Sequence, residues 1–171
     1  MNYWKKLDQH GKTMFIVRSA VIAALYAALT LALYPISFGA VQFRVSEALC
    51  VLALFTPAAI YGLSLGCLLS NLLSSAALPL DFLIGTLATL IAAVWSANSR
   101  SDWFAAVPPV VCNALIVGAM LAWETTGVSA AFADLFAYNA LTVGFGEAVM
   151  CFLLGVPLLR ALDKRERPER T

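Results

Sequence analysis

The stretch that decides the fold is ALCVLALFTPAAIYGLSLGCLLSNLLSSAALPL, residues 48–80, which contains no charged side chain. Two further charge-free runs, residues 19–43 and 82–99, lie on either side of it. Of the 171 residues, 61% are hydrophobic and 12% are charged. Ordinary soluble domains are about half apolar and about a quarter charged. We therefore expect most of this chain to lie in a lipid bilayer as one compact helical domain, with no room for a second, soluble one.

Proline, glycine and polar residues divide the apolar part of the chain into spans, since about 20 apolar residues cross a bilayer as a helix. The predicted spans are residues 14–37, 45–56, 58–78, 81–97, 103–123 and 135–162, between polar tails at 1–13 and 163–171. The first apolar stretch is too long for a secretory signal, whose apolar region has about 7–15 residues. We therefore expect it to be retained as a span.

The second span is short. About a dozen residues give about 18 Å as an α-helix, whereas the hydrocarbon core is about 30 Å thick. A re-entrant segment, which would leave five crossings, is the alternative to a complete crossing.

The distribution of charge favours six crossings. Lys and Arg are concentrated at both ends of the chain, and cytoplasmic flanks of membrane helices are enriched in these residues. Two cytoplasmic termini require an even number of crossings, and six also place Arg100 inside. The predicted fold is an all-α integral membrane protein of the cell membrane, a bundle of six transmembrane helices with both termini cytoplasmic. Its outer half then holds Arg44 against five carboxylates: Glu47, Asp81, Glu124, Asp134 and Glu147.

The segment SFGAVQFRVSE, residues 37–47, places Gln42, Arg44 and Glu47 between two apolar spans. Glu47 follows Arg44 by three residues, so the two can pair on one face of a helical turn. A charge at the centre of a membrane helix costs about 2.5–3.5 kcal/mol. We interpret this segment as the wall of a polar cavity. An arginine that anchors a helix end by snorkelling to the interface is the alternative.

Asn71 and Asp81 lie near the outer end of the third span. Asn71 follows the small-xxx-small pattern GLSLG, residues 62–66, which permits close helix contact. A buried Asn in lipid must bind either a neighbouring helix or a ligand. Asp81 is expected to cap the fourth helix, and it can face a cavity at the same time.

Glu147 and Asn113 are polar residues inside otherwise apolar spans. Glu147 lies beside Gly144 and Gly146, without a basic neighbour in sequence. It therefore needs a partner in space, for which Arg44 or an amide-bearing or cationic ligand are candidates. Asn113 is the lone amide of the fifth span. An interhelical hydrogen bond and a ligand contact are equally consistent with it.

The first span carries a row of small residues that another helix can approach closely. The row consists of Ala20, Ala24 and Ala28, with Ala23 and Ala27 beside it. Internal packing and contact with a partner subunit are the two alternative roles of this row.

Several chemistries are excluded by what the sequence lacks. The four cysteines lie in apolar stretches without metal-binding spacing, and His10, the only histidine, lies in the N-terminal tail. We therefore expect no metal and no cofactor. No phosphate-binding Gly-rich loop and no His-Glu-x-x-His motif occur, so the chain is not predicted to be an enzyme. Its dispersed basic residues give no nucleic-acid surface.

The motifs of this chain resemble those of the QueT family, proposed transporters of queuosine precursors that are similar to the substrate-binding S-components of energy-coupling-factor (ECF) transporters. The resemblance covers about residues 15–160. It is carried by SFGAVQFRVSE (37–47), FTPAAI (55–60), GLSLGCLLSN (62–71), DFLIGTLAT (81–89), PPVVCN (108–113) and GFGE (144–147).

The resemblance implies a six-helix domain with both termini inside and a ligand pocket that opens outward. It also implies that the alanine row docks onto a membrane coupling subunit, which two cytoplasmic ATPases drive. The implied ligand is a 7-deazaguanine base that carries an aminomethyl or cyano group. An S-component for another small molecule, such as a vitamin, is the alternative. A membrane enzyme acting on lipid or a purely structural subunit would be of a different class.

The candidate residues suit such a base. A guanine-like edge presents two adjacent N–H donors that one carboxylate can accept in parallel, beside a carbonyl that Arg, Gln or Asn can bind. A second carboxylate would hold an aminomethyl cation. We therefore expect Glu47 and Glu147 to accept the ligand's hydrogen bonds. The expected orienting groups are Gln42, Arg44, Asn71 and Asn113, with Asp81 as a weaker candidate.

Overall fold

All regular structure is helical in the computed structural model, which describes residues 7–37, 41–74 and 80–166. The α-helices are α1 (Gln9–Ala32), α2 (Tyr34–Ser37), α3 (Pro57–Leu73), α4 (Thr86–Ala97), α5 (Asp102–Ala105), α6 (Val107–Cys112), α7 (Gly118–Thr126), α8 (Phe132–Met150) and α9 (Val156–Glu166). A 3₁₀ helix covers Val45–Leu54. Single π-helical turns cover Asp81–Gly85, Asn113–Val117 and Cys151–Gly155. The predicted all-α class is confirmed.

Three helical stretches of the described chain are long and apolar enough to cross a membrane: Gln9–Ala32, Asp102–Thr126 and Phe132–Leu162. Three shorter apolar helices occupy Val45–Leu54, Pro57–Leu73 and Phe82–Ala97. Together they follow the order of the predicted spans, as expected for a helical membrane bundle.

The helix ends differ from the prediction where polar residues cap them. α1 begins inside the predicted polar tail because Asp8 accepts a hydrogen bond from the Gly11 N–H at 2.8 Å. The fifth span begins at Asp102, where the Ser101 side chain accepts from the Phe104 N–H. At the other end of the chain, α9 continues to Glu166, so the predicted C-terminal tail is partly helical.

Helices α1 and α3 pack side by side and run in the same direction. The Ser19 hydroxyl donates to the Ala58 carbonyl at 3.0 Å, and further along, Gly66 lies against Ala23 and Tyr26. A Cβ added at Gly66 would lie 2.8 Å from the Ala23 carbonyl oxygen. The small-xxx-small pattern of α3 therefore serves this contact. It lets the backbones of the two helices approach closely, and van der Waals contacts between them stabilise the pair.

The short second segment runs back along α1. The hydroxyls of Thr30 and Ser46 lie 2.7 Å apart, whereas Ala58 lies at the level of Ser19. Ser19 and Thr30 are separated by about 17 Å along α1. Residues 46–58 therefore cover about this distance in the direction opposite to α1. The 3₁₀ helix rises about 2.0 Å per residue rather than 1.5 Å. A segment that is short for an α-helix thus reaches further, and it returns the chain to the end of the bundle where α3 begins beside Ser19.

The 3₁₀ helix lies at the centre of the bundle. It contacts α1, α3, α4, α8 and α9, together with the π-helical turn at Cys151–Gly155. Its buried residues are Ser46, Glu47, Ala48, Cys50, Val51 and Ala53. One core cluster joins it to α1 and α3, and a second joins it to the C-terminal helix through Val156 and Leu159. This element positions the polar site.

Candidate functional site

One basic and two acidic side chains are buried together inside the apolar bundle. Arg44 is 2% exposed, Glu47 is fully buried and Glu147 is 1% exposed. Glu147 interacts electrostatically with both Arg44 and Glu47, although it lies about a hundred residues away in sequence. The snorkelling alternative for Arg44 does not fit its burial.

The Glu47 carboxylate is held by donors from three helical elements. Its Oε1 accepts hydrogen bonds from the Tyr26 hydroxyl on α1 and from the Thr89 hydroxyl on α4 at 3.3 Å. Its Oε2 accepts from the Cys50 thiol at 2.9 Å. Because i and i+3 side chains eclipse in a 3₁₀ helix, Cys50 lies directly beside Glu47. This network ties α1, the 3₁₀ helix and α4 together.

Arg44 directly precedes the 3₁₀ helix, and the Glu47 N–H donates to the Arg44 carbonyl at 2.9 Å. The Arg44 side chain lies among further groups of the cluster and interacts electrostatically with Tyr26 and Cys67. Arg44 therefore belongs to the interior of the site.

The Glu147 carboxylate has weaker protein partners. Among the described residues, the Cys151 thiol donates a long hydrogen bond to this carboxylate, with its Sγ 4.0 Å from Oε2. The Asn113 amide approaches the same carboxylate. Asn113 itself is 1% exposed, and neither its Nδ2 nor its Oδ1 has a hydrogen-bond partner of full geometry in the structure. A buried amide in this state costs free energy unless a ligand satisfies it.

Gln42 and Asn71 are also buried at the edges of this cluster. The Gln42 backbone packs directly on Gly146, where an added Cβ would lie 2.3 Å from the Gln42 carbonyl oxygen. The Asn71 amide donates to the Cys67 sulfur at 3.6 Å. Cys67 in turn accepts from Thr89 at 3.3 Å, so Asn71 connects with the Glu47 network through one shared sulfur.

The fourth helical segment begins at Asp81, as predicted. Leu80 occupies the N-cap position, directly before Asp81, and the Leu80 N–H donates to the Glu124 carboxylate at 3.0 Å. Glu124 from α7 therefore supplies an acceptor at this helix start. The Asp81 side chain lies outside the described part of the structure.

The alanine row of α1 is divided between two environments. Ala23 is buried against Gly66 of α3 and Ala27 is partly buried, whereas Ala20, Ala24 and Ala28 are exposed. Ala23 thus serves internal packing, and the flat outward face is formed by the three alanines at four-residue spacing.

Tyr26, Thr89 and the cysteines of the site were absent from the sequence prediction. A signal for Tyr26 existed in α1, where Ser19, Tyr26 and Thr30 recur at helical spacing on one face. Cys50 and Cys151 act as thiol donors to the site, which spacing alone could not indicate. In the part of the chain that the structure describes, no group of three or more His, Cys, Asp or Glu residues could hold a metal ion.

Apolar helices around a buried cluster of charged and amide side chains define a helical membrane protein with an internal polar site. The chain belongs to the QueT transporter family, whose profile matches residues 16–164. It is 44% identical over 83 residues to a relative from Lactococcus lactis subsp. cremoris (strain MG1363), which is named "Queuosine precursor transporter QueT". That alignment covers 47% of this chain and 48% of the relative, about half the length of each. No solved structure matches the chain.

Proposed function

We propose that this chain is the substrate-binding membrane subunit, or S-component, of an ECF transporter that imports a queuosine precursor. Residues 14–162 form its transmembrane substrate-binding domain, which crosses the cell membrane six times between the cytoplasmic tails 1–13 and 163–171. The observation that carries the proposal is the burial of Arg44, Glu47 and Glu147 in one cluster inside an apolar bundle. Such groups are expensive in a membrane and mark binding sites or transport pathways.

The chemistry of the cluster suits a 7-deazaguanine base. Glu147 supplies an acceptor for the N–H donors of a guanine-like edge, and Asn113 supplies an amide beside it. Arg44, Gln42 and Asn71 are the further polar groups around this site, with Asp81 as an outlying candidate. The cluster contains two carboxyl groups and one guanidinium. Because an uncompensated buried charge is costly, a cationic aminomethyl group on the base would stabilise the complex.

The partners that we propose are a membrane coupling subunit and two cytoplasmic ATPases. The outward face of Ala20, Ala24 and Ala28 supports this, since small residues let another membrane helix approach closely. The direction of the chain rests on charge, because the basic ends favour the cytoplasm. The Arg160–Asp102 contact at 3.9 Å is consistent with that arrangement, as it holds the start of α5 and the C-terminal helix at one end of the bundle.

Ligand identification tests the proposal directly. The purified protein is denatured and the released small molecules are identified by mass spectrometry, and binding of the candidate base is then measured by calorimetry. We expect a 7-deazaguanine bearing an aminomethyl or cyano group. If a vitamin is recovered and 7-deazaguanines do not bind, the proposed substrate class is wrong, whereas the proposed role in transport remains.

A further inference from the structure

The two buried carboxylates differ in how many hydrogen bonds they can still accept. A carboxylate oxygen has two lone pairs. The Tyr26 hydroxyl donates to Oε1 of Glu47, and the Thr89 hydroxyl shares its hydrogen between this oxygen and the Cys67 sulfur. Oε2 already accepts from Cys50. Parallel acceptance of two N–H donors requires a free lone pair on each oxygen, and protein donors from three helical elements already compete for those of Glu47.

Glu147 retains that capacity. Among the described residues its donor is the Cys151 thiol at 4.0 Å, a long contact even for sulfur. The neighbouring Asn113 amide approaches this carboxylate, but neither of its polar atoms makes a well-aligned hydrogen bond in the structure. Two carboxylate oxygens followed by an amide N–H form the pattern acceptor, acceptor, donor. A guanine-like edge presents the complementary pattern of donor, donor, acceptor.

We propose that Glu147 and Asn113 read the ligand's edge and that Glu47 is a positioning residue, held by Tyr26, Thr89 and Cys50. This rests on the proposed function and assigns separate roles to two residues of the same type. Glu47 joins α1, the 3₁₀ helix and α4, and thereby fixes the element that carries Arg44. Its loss changes how well the site is formed, whereas loss of Glu147 changes what the site recognises.

The experiment measures recognition as a ratio. Binding of 7-aminomethyl-7-deazaguanine and of its 2-desamino analogue is measured by calorimetry for the full chain and its variants. Removal of the exocyclic amine deletes one of the two donors. A hydrogen bond to a charged group is strong enough that we expect wild type to prefer the intact base by about tenfold or more.

In Glu147→Gln this preference falls to about one- to threefold, because the amide N–H₂ that replaces one oxygen cannot accept a hydrogen bond. In Glu47→Gln, Tyr26→Phe and Thr89→Val, both affinities fall by a similar factor and their ratio stays near the wild-type value. Glu124→Gln, a carboxylate-to-amide change outside the cluster, is the matched control and changes neither.

Folding of each variant is checked by its melting temperature. If Glu147→Gln does not fold, Glu147→Asp keeps the charge but withdraws the carboxylate by one methylene, and the same loss of preference is expected. The division of roles would be overturned if the preference for the intact base stayed at the wild-type value in Glu147→Gln but was lost in Glu47→Gln. Failure of wild type to bind either base would instead overturn the proposed function, and this inference with it.

Discussion

Gly146 is the residue at which the site has least room. An added Cβ would lie 2.3 Å from the carbonyl oxygen and 2.9 Å from the carbonyl carbon of Gln42. Both atoms are backbone, so they cannot rotate away. We expect Gly146→Ala to lower stability by about 1–3 kcal/mol. It should also weaken ligand binding, because it displaces the backbone segment that carries Gln42 and Arg44. Thermal unfolding in detergent and calorimetry measure the two effects.

Gly144 provides the control for this prediction, since it lies two residues away on the same helix. Its added Cβ would meet the Ala114 Cβ at 3.1 Å, a single side-chain contact. Gly144→Ala is therefore expected to lower stability less than Gly146→Ala does. Equal effects of the two substitutions would show that helix propensity, rather than the contact with Gln42, determines the response.

The sequence predicted which polar side chains are buried, but not which residues hold them. Burial of a charge in an apolar chain is readable from composition, and Arg44, Glu47, Asn113 and Glu147 are indeed buried. The role of Glu47 depends on Tyr26 and Thr89, which lie 21 and 42 residues away in sequence. Long-range contacts of this kind depend on how helices pack, which residue types alone do not determine.

At the element scale, the start of the fourth helical segment depends on a side chain from another helix. The Leu80 N–H donates to Oε1 of Glu124 at 3.0 Å. Because loss of a capping acceptor costs about 0.5–2 kcal/mol, Glu124→Ala should lower the melting temperature. Glu124→Gln retains a carbonyl oxygen and should remain close to wild type. If both variants melt at the wild-type temperature, this hydrogen bond does not stabilise the helix start.

The exposed face of α1 allows a second prediction at this scale. Ala24 is exposed, whereas Ala23 is buried against Gly66. If Ala24 lies against the coupling subunit, Ala24→Trp prevents close helix approach. We expect assembly with that subunit to fall about tenfold, which corresponds to about 1.4 kcal/mol, while ligand binding by the isolated chain persists.

Leu141 is the matched control for Ala24, because it is 75% exposed on α8 and lies outside the proposed contact. Leu141→Trp should assemble normally. Co-purification with the tagged coupling subunit measures both variants. Full assembly of Ala24→Trp would contradict the proposed docking face.

The type of the second helix could not be predicted from its composition. Over Val45–Leu54 nearly all residues are apolar, so a repeat of 3.0 residues cannot be distinguished from one of 3.6 by periodicity. Contacts with the surrounding helices then decide which type of helix forms. A 3₁₀ helix covers the height between Thr30 and Ser19 of α1 with fewer residues, although its hydrogen-bond geometry is poorer.

At the scale of the whole molecule, the six apolar segments and their order were predictable because hydropathy and proline positions determine them. Their direction in the membrane is a prediction from charge. If both termini are cytoplasmic, the turn that follows α4 faces the cytoplasm and the loop that precedes α8 faces outward. Asn98 and Val128 are exposed positions in these two connections. The four native cysteines are buried, so they should give little background in a labelling experiment.

We expect Val128→Cys to react with a membrane-impermeant maleimide in intact cells, and Asn98→Cys to react only after permeabilisation. The two positions lie at opposite ends of the bundle, so each is the control for the other. Reversal of the pattern would mean that the basic ends face outward, against the bias of Lys and Arg toward the cytoplasm. Labelling of both from the same side would be incompatible with a fifth helical segment that crosses the membrane. The orientation matters for the site, because only the expected result places the hydrogen bond between Leu80 and Glu124 at the outward end, where an imported base would enter.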